Sequence, residues 1–481
     1  MARTADERGW LPIVYGVAAL LTLLFGVAPV QAQQSAQEEI DAIKKRVGQL
    51  EEKQKKAEWT EKLKFSGQIA LRTEFITNEN FSKADSERWR ERVRIRFQTT
   101  YDVNEQFMTG FRLSTGDPRF PTTGWETLGG GSSGSGTGAG GVTVDGFENS
   151  SSRFRIGFDR VWMTWKPNQT LKFTAGKFEL PFFKPQAVWG SGIWWDDDAQ
   201  PTGIAETINL PASGALKSLR LTFGQFLFQE LRGDLSPARG SGWFGQQLSG
   251  SLGAAPNVDA NFGLGFYYFA NPHRLAQGGT GGMIVLDSGL YNSRHTNRVT
   301  GVGGVGANTG VNCNAFTTNC GGFVSEYALL NPSLQVDFKG GRYPVTFMAD
   351  YVNNLGAHSD PVTQTGRKNN AFLVGAAVGS TKDPGNWRFG YWYYYSQADS
   401  ALSMFNDDDY QFTNVKSHVI DFQYRIWKGV LLQWDTYVQK FEDSQLANLQ
   451  GITGPCSAAL ACREFDDLTK FRSRISMLVN F

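Results

Sequence analysis

The chain has 481 residues, of which 19% are charged and 13% aromatic, with 55 glycines and a formal net charge of +1. So even a balance excludes bulk electrostatic attraction to nucleic acid, and the length allows three ordinary domains or one very large one. Glycine and aromatic richness without long apolar helices is the first distinguishing feature.

At the N-terminus, Arg3 and Arg8 precede an apolar run from Leu11 to Val27, and Val30 and Ala32 then sit as a signal-peptidase site. The run is short for a membrane anchor and ends in an A-x-A-like site, so residues 1–32 read as a removed secretory signal. Ala36, Ile40, Ile43, Val47, Leu50, Gln54 and Ala57 follow at spacings of four and three, with charges between them. This heptad seam predicts a periplasmic coiled coil over residues 33–60, because one helix of that length is marginal in water. Isoleucine along the seam permits a trimer. A solvated linker helix is the competing reading.

From Lys62 the period changes to two. In "LKFSGQIALRTEF", Phe65, Gly67, Ile69, Leu71, Thr73 and Phe75 share one face. The alternation recurs in "FGLGFYYF", "LQVDFK", "VTFMADY", "WRFGYWYYY", "VIDFQYRIW" and "VLLQWDTYV". Short turns such as "DVNE", "KPNQ", "KDPGN" and "WKG" join many of these strands. The other connections are long, as at residues 117–151, 271–331 and 442–467. Short turns at one end and long loops at the other describe an all-β, antiparallel transmembrane β-barrel over residues 61–481. The count is about sixteen strands, with Thr202–Leu210 the weakest pattern. An even count places both termini on the periplasmic side and the long loops outside. A soluble β-sandwich fails on length and on outward aromatic rows such as Trp387, Phe389, Tyr391, Tyr393 and Tyr395. The last strand, "FRSRISMLVNF", ends in Phe481 with Val479, Met477, Ile475 and Phe471 on its parity, a pattern that looks like the insertion signature of outer-membrane barrels.

The stretch "RWRERVRIRF" carries arginine at 88, 90, 92, 94 and 96. Arginine on the lipid face at mid-bilayer costs about 2–4 kcal/mol, so the even positions face water and Glu91 falls on the lipid side near the outer rim. Arg72, Arg90, Arg92, Arg94, Arg96, Arg112, Arg153, Arg155, Arg472 and Arg474 are therefore expected to form one basic quadrant of a pore, joined by Lys470. Asp337, Asp350, Asp421 and Asp435 share the lumen parity and are expected across the pore. The connection "VWGSGIWWDDDAQPTGIAE" is expected to fold inward, so that Asp196, Asp197 and Asp198 narrow the channel with Trp194 and Trp195. The competing reading makes the arginines structural, paired with Glu74 and loop carboxylates.

Cys313, Cys320, Cys456 and Cys462 form two sequence-near pairs, candidates for short-range disulfides in an oxidising compartment. His273, His295, His358 and His418 show no ligand spacing with them, so no metal and no cofactor is expected. Gly136, Gly138 and Gly141 fit G-x-G-x-x-G only inside a flexible glycine–serine run. No catalytic constellation rises above chance, and the chain is not expected to be an enzyme.

The segments "RWRERVRIRFQTTYDVNEQFMTGFRLSTGD", "FDRVWMTWKPNQTLKFTAGKFELPFF" and "WWDDDAQPTGIAE" resemble a family of outer-membrane porins, relatives of the trimeric phosphate-selective porins. The resemblance implies a sixteen-stranded diffusion channel in the bacterial outer membrane, with lipid, copies of itself, small ions and hydrophilic solutes as partners. It also implies a homotrimer with periplasmic coiled coils. Phosphate-selective relatives add lumen lysines from inward loops. Here the inward connection is acidic, with only Lys177 and Lys184 nearby. The expected function is passive diffusion of small hydrophilic solutes with a weak lean to anions. The alternative is a barrel that sheathes a partner, such as an electron-transfer conduit, or displays its loops.

Overall fold

The computed structural model describes residues 37–52, 60–78, 87–116, 123–128, 154–186, 192–229, 240–273, 297–301, 320–360, 365–410, 413–444, 446 and 469–481. The chain divides into two compact units, Met1–Lys64 and Phe65–Phe481. In the first, residues 37–52 form a helix. Its seam residues Ile40, Ile43, Val47 and Leu50 are exposed, and Lys44 pairs with Asp41 on its surface. The proposed signal segment lies outside the described residues.

The second unit is built from strands β1 (Leu63–Thr77), β2 (Glu87–Asp102), β3 (Phe107–Thr115), β4 (Glu126–Leu128), β5 (Ile156–Trp165), β6 (Leu171–Lys177), β7 (Thr202–Leu210), β8 (Leu216–Gln229), β9 (Ser241–Ala255) and β10 (Val258–Ala270). After β11 (Val299–Gly301) and β12 (Cys320–Phe323) come β13 (Ala328–Phe338), β14 (Val345–Asn354), β15 (Asn370–Gly379), β16 (Trp387–Ser396), β17 (Val415–Trp427), β18 (Val430–Phe441) and β19 (Lys470–Asn480). Apart from β4, β11 and β12, each pairs antiparallel with the next, and β19 closes on β1 in the register Gln68↔Asn480 to Thr77↔Phe471. The result is a closed barrel of sixteen strands, and Thr202–Leu210 is one of them. β4 runs beside the start of β2, where β3 no longer reaches. β11 and β12 form a separate two-stranded sheet.

Closure removes the unpaired edges that a membrane would not tolerate. The last residue takes part: Gly67 and Phe481 exchange backbone hydrogen bonds of 2.8 and 3.1 Å. Short turns join strands at one end of the barrel. Two of them use left-handed residues, Asn257 (φ 65°) after Pro256 and Gly429 (φ 82°) after Lys428. Long connections occupy the other end. Phe65, Ile69, Leu71, Phe347, Phe389, Tyr391, Ile475 and Met477 lie exposed on the outer wall, as the period of two requires.

Cys313, Cys456 and Cys462 lie outside the described residues, so the disulfide candidates do too. Only the backbone of Cys320 is described, opposite Gly301.

The lumen is not uniformly polar. On β8–β10 the inward residues Phe226, Trp243, Tyr267 and Phe269 are fully buried. They meet Phe178 and Phe182 from the end of β6, Trp194 and Trp195 from the next connection, and Phe405 from a connection far along the chain. Trp194 stacks on Tyr267 at 3.9 Å, and Trp195 lies parallel to Phe405 at 4.7 Å. Gly245 makes room for this cluster, since a Cβ there would sit 2.6 Å from the Phe182 ring. Aromatic packing thus fills one side of the lumen.

Candidate functional site

The opposite side is lined by arginine. Alternation on β2 turns Arg90, Arg92, Arg94 and Arg96 inward, while Trp89 on the other parity is 70% exposed. Arg72 on β1, Arg112 on β3, and Arg472 and Arg474 on β19 reach the same wall and are buried. Glu74 holds four of these cations. Arg90 Nε donates to it at 2.5 Å, and Arg472, Arg72 and Arg92 lie at 3.1, 3.4 and 3.5 Å. A fully buried carboxylate survives there because three guanidiniums face its Oε1 and one its Oε2.

Trp125, just before β4, enters this wall. Arg72 lies 3.7 Å and Arg94 4.7 Å from its ring centroid, a cation–π arrangement. Its carbonyl accepts from Arg92 at 3.1 Å.

Two inward connections face the arginines. The first carries Ile193-Trp194-Trp195-Asp196-Asp197-Asp198, the second Phe405-Asn406-Asp407-Asp408-Asp409. They fold alike. The backbone N–H of Asp198 donates to the Asp196 carboxylate at 2.5 Å, and that of Asp409 to Asp407 at 2.8 Å. The third aspartate of each then docks on two arginines spaced two apart. Asp198 bridges Arg96 and, at 3.5 Å, Arg94. Asp409 bridges Arg472 at 2.9 Å and Arg474 at 2.5 Å. The connections also hold each other, through Asp196 N to Phe405 O (2.6 Å) and Asp407 N to Gly192 O (3.2 Å). Gly192 is left-handed (φ 58°), and a Cβ there would fall 2.5 Å from the Asp407 side chain.

These aspartates lie outside the strands and divide in two. Burial pushes the Asp196 and Asp407 carboxyls well up, and neighbouring aspartates push them further. Burial also acts on Asp198 and Asp409, but Arg96 with Arg94 and Arg474 with Arg472 overcome it and hold both below the usual range. Asp196, Asp407 and Asp408 bring carboxylate oxygens within 4.8 Å of one another.

Between wall and connections lies a cavity of about 350 Å³. Six arginines line it, Arg72, Arg92, Arg94, Arg96, Arg112 and Arg160, against seven carboxylates, those of Glu179 and both aspartate triplets.

Several expectations about position need correction. Asp435 does not stand across the pore: it is on β18, beside β19, and accepts directly from Arg474. Asp421 faces Asp435 in register on β17 and is held by Gln433 at 3.0 Å and Gln423 at 3.1 Å. Asp350 lies apart on β14 and accepts from Asn331 at 2.6 Å. Asp196–Asp198 do fold inward, but onto the arginines rather than opposite them. Lys184 is buried and pairs with Asp197, whereas Lys177 lies between Val161 and Thr202 on the outer wall. Arg155 precedes β5 and is half-buried; Arg153 lies outside the described residues. Lys470 is buried on the inner parity.

The sequence reading missed Arg160, the second aspartate triplet and Trp125. Arg160 carries no sequence signal, because a bulge sets its side. Phe158 is exposed on one parity, and Val161 and Met163 on the other, because the register shifts by one residue against Arg112–Leu113. Asp159 and Arg160 therefore both turn inward, to Arg112 and to Glu179 at 2.8 Å. Each triplet begins two residues after an aromatic, Trp194 in the first and Phe405 in the second, a signal that comparing the two stretches reveals.

With this geometry in hand, the chain can be set beside known proteins. A family described as "Putative porin" matches residues 76–437. The chain belongs to this porin family. None of the curated proteins matches it. Among solved structures, OprB of Pseudomonas putida is similar at 11% identity, over 88% of this chain and 96% of that one, with a TM-score of 0.48. Salmonella typhi OmpF is similar at 9% identity over 87% and 97%, TM-score 0.45. An anion-selective porin from Comamonas acidovorans is similar at 12% identity over 87% and 99%, TM-score 0.42. As a member of a porin family with a closed barrel, the porin is an outer-membrane protein built as a channel.

Proposed function

We propose that the porin passes small hydrophilic solutes and ions by passive diffusion along the arginine wall, with a weak preference for anions. One observation carries this reading: arginines from β1, β2, β3 and β5 converge on one cavity whose far side is made by inward connections. The preference is weak because seven carboxylates face the six arginines of the cavity. It leans to anions because the cations are fixed on strands, while Asp198 and Asp409 are already spent on pairs of them. Screening over about 8 Å confines such effects to the narrow zone.

The test is the reversal potential in a salt gradient, for the wild type and for Arg92→Ala with Arg94→Ala. The double variant should lose anion preference and conduct more. Unchanged selectivity and conductance would remove the ladder from the permeation path. The aromatic cluster filling one side of the lumen weighs against a sheath for a partner protein, which would need a wide bore. A silent or massively leaking bilayer record would favour that alternative.

The same reading places both termini in the periplasm and the long connections outside, and treats residues 1–32 as a cleaved signal. The heptad seam of residues 33–60 supports assembly into a homotrimer. Deleting that segment should weaken the assembly without closing the channel.

A further inference from the structure

The outer wall of β6–β9 combines a short strand with polar side chains. β6 has seven residues, the shortest barrel strand among those described. At roughly 3.3 Å per residue and about 40° tilt it climbs about 18 Å, short of the ~25 Å apolar band. Polar side chains also stand on this outer face. Glu206 shares the parity of exposed Ile204, while its neighbours Ala205 and Thr207 are buried inward. It lies in register between Phe173 and Phe223. One of its carboxylate oxygens is covered and accepts no hydrogen bond. Lys177 lies opposite Val161 and Thr202, both exposed on the outer face. Gln225 and Gln246 are exposed on the same side, each beside outward aromatics of the neighbouring strands.

Inside the polar Asn353–Asn370 pair at the strand ends, the outer positions of β14 and β15 make the contrast: Phe347, Ala349, Tyr351, Phe372, Val374, Ala376 and Val378. Hydrocarbon suits that face. It offers nothing to a carboxylate oxygen, an ammonium or two amides. We propose that the outer wall of β6–β9 is where a second copy of this chain docks, with Glu206 at the contact. The wall carries both an anion and a cation, Glu206 and Lys177, so an identical wall brings the charge each one needs. A neighbouring protein also supplies the apolar height that the short strand lacks. This rests on the barrel lying in a membrane, but not on what it conducts.

The test is the mass of the full-length protein in mild detergent, with the temperature at which the assembly dissociates on unboiled gels. Wild type should be oligomeric. Glu206→Lys should lower the dissociation temperature or give single chains, while the barrel keeps its heat-modifiable mobility and its conductance. Adding Lys177→Glu to it should restore assembly. Glu206→Leu guards against a folding defect: on a lipid-facing wall it stabilises the barrel and leaves any oligomer intact, whereas on a docking wall it weakens the oligomer. The proposal is overturned by a single-chain wild type, with or without bound phospholipid, or by Glu206 variants that assemble and dissociate like wild type. Loss of conductance with assembly intact would instead count against the channel reading.

Discussion

The two sides of the lumen solve the same problem with opposite chemistry. On β19, β1 and β2, cations turned into the lumen are satisfied by a few shared carboxylates, Glu74, Asp198 and Asp409. On β8–β10, rings pack against rings and need no partner beyond contact. Both inward connections touch both sides, aromatics on one and aspartates on the other. The lesson is that a connection is held across a barrel by a double anchor: an apolar one that supplies burial and an ionic one that supplies register.

Breaking each anchor separately sharpens that comparison. The largest effect should come from Glu74→Ala, which leaves guanidiniums buried without their common anion. Losing a buried ionic partner costs about 3–5 kcal/mol, and the folded band on unboiled gels should melt at a clearly lower temperature. Trp195→Ala removes the ring stacked on Phe405 and should cost about 3 kcal/mol. Because it loosens the connections from the aromatic side, single-channel conductance should rise, and a conductance equal to wild type would refute the double anchor.

Asp198→Asn should cost less, about 2 kcal/mol for charge-assisted hydrogen bonds. It frees Arg94 and Arg96, so the reversal potential should move toward anion selectivity; a move toward cations would contradict the geometry. The pH dependence follows from the two kinds of aspartate. Asp198 and Asp409 are depressed in the folded state, so their contribution is present above the ordinary carboxyl value of about 4 and is lost as pH falls below it toward their folded values. Asp196 and Asp407 are raised, so stability is lost as pH climbs from about 4 through their folded values. Asn at Asp196 should flatten the second slope in a melting series across pH and leave the first. Smallest of all, His418→Ala removes only an exposed partner of Tyr391 on the outer wall and should stay within about 0.5 kcal/mol.

Much of the barrel was legible because it is local. A period of two assigns each side chain a face, and the cost of a guanidinium in lipid chooses which face is wet. Hence Arg92, Arg94, Arg472 and the final phenylalanine strand could be placed from residues alone. Asp435 shows the limit. Its parity was right, but its partner was one strand away rather than across the lumen, because parity carries no angular position around a barrel. Arg160 shows another, since a register shift moves the inward set by one residue.

Sequence by itself determined the alternation, the closure of an even set of strands and the sign of the inner wall, all consequences of near-neighbour geometry and solvation. Tertiary structure alone decided that two distant aspartate triplets meet, that each closes on an arginine pair, and that aromatics fill the far side. The contacts between the two connections join residues about two hundred positions apart, as in Trp195 with Phe405, and all these contacts are selected by which buried charges and rings the closed barrel leaves to be satisfied.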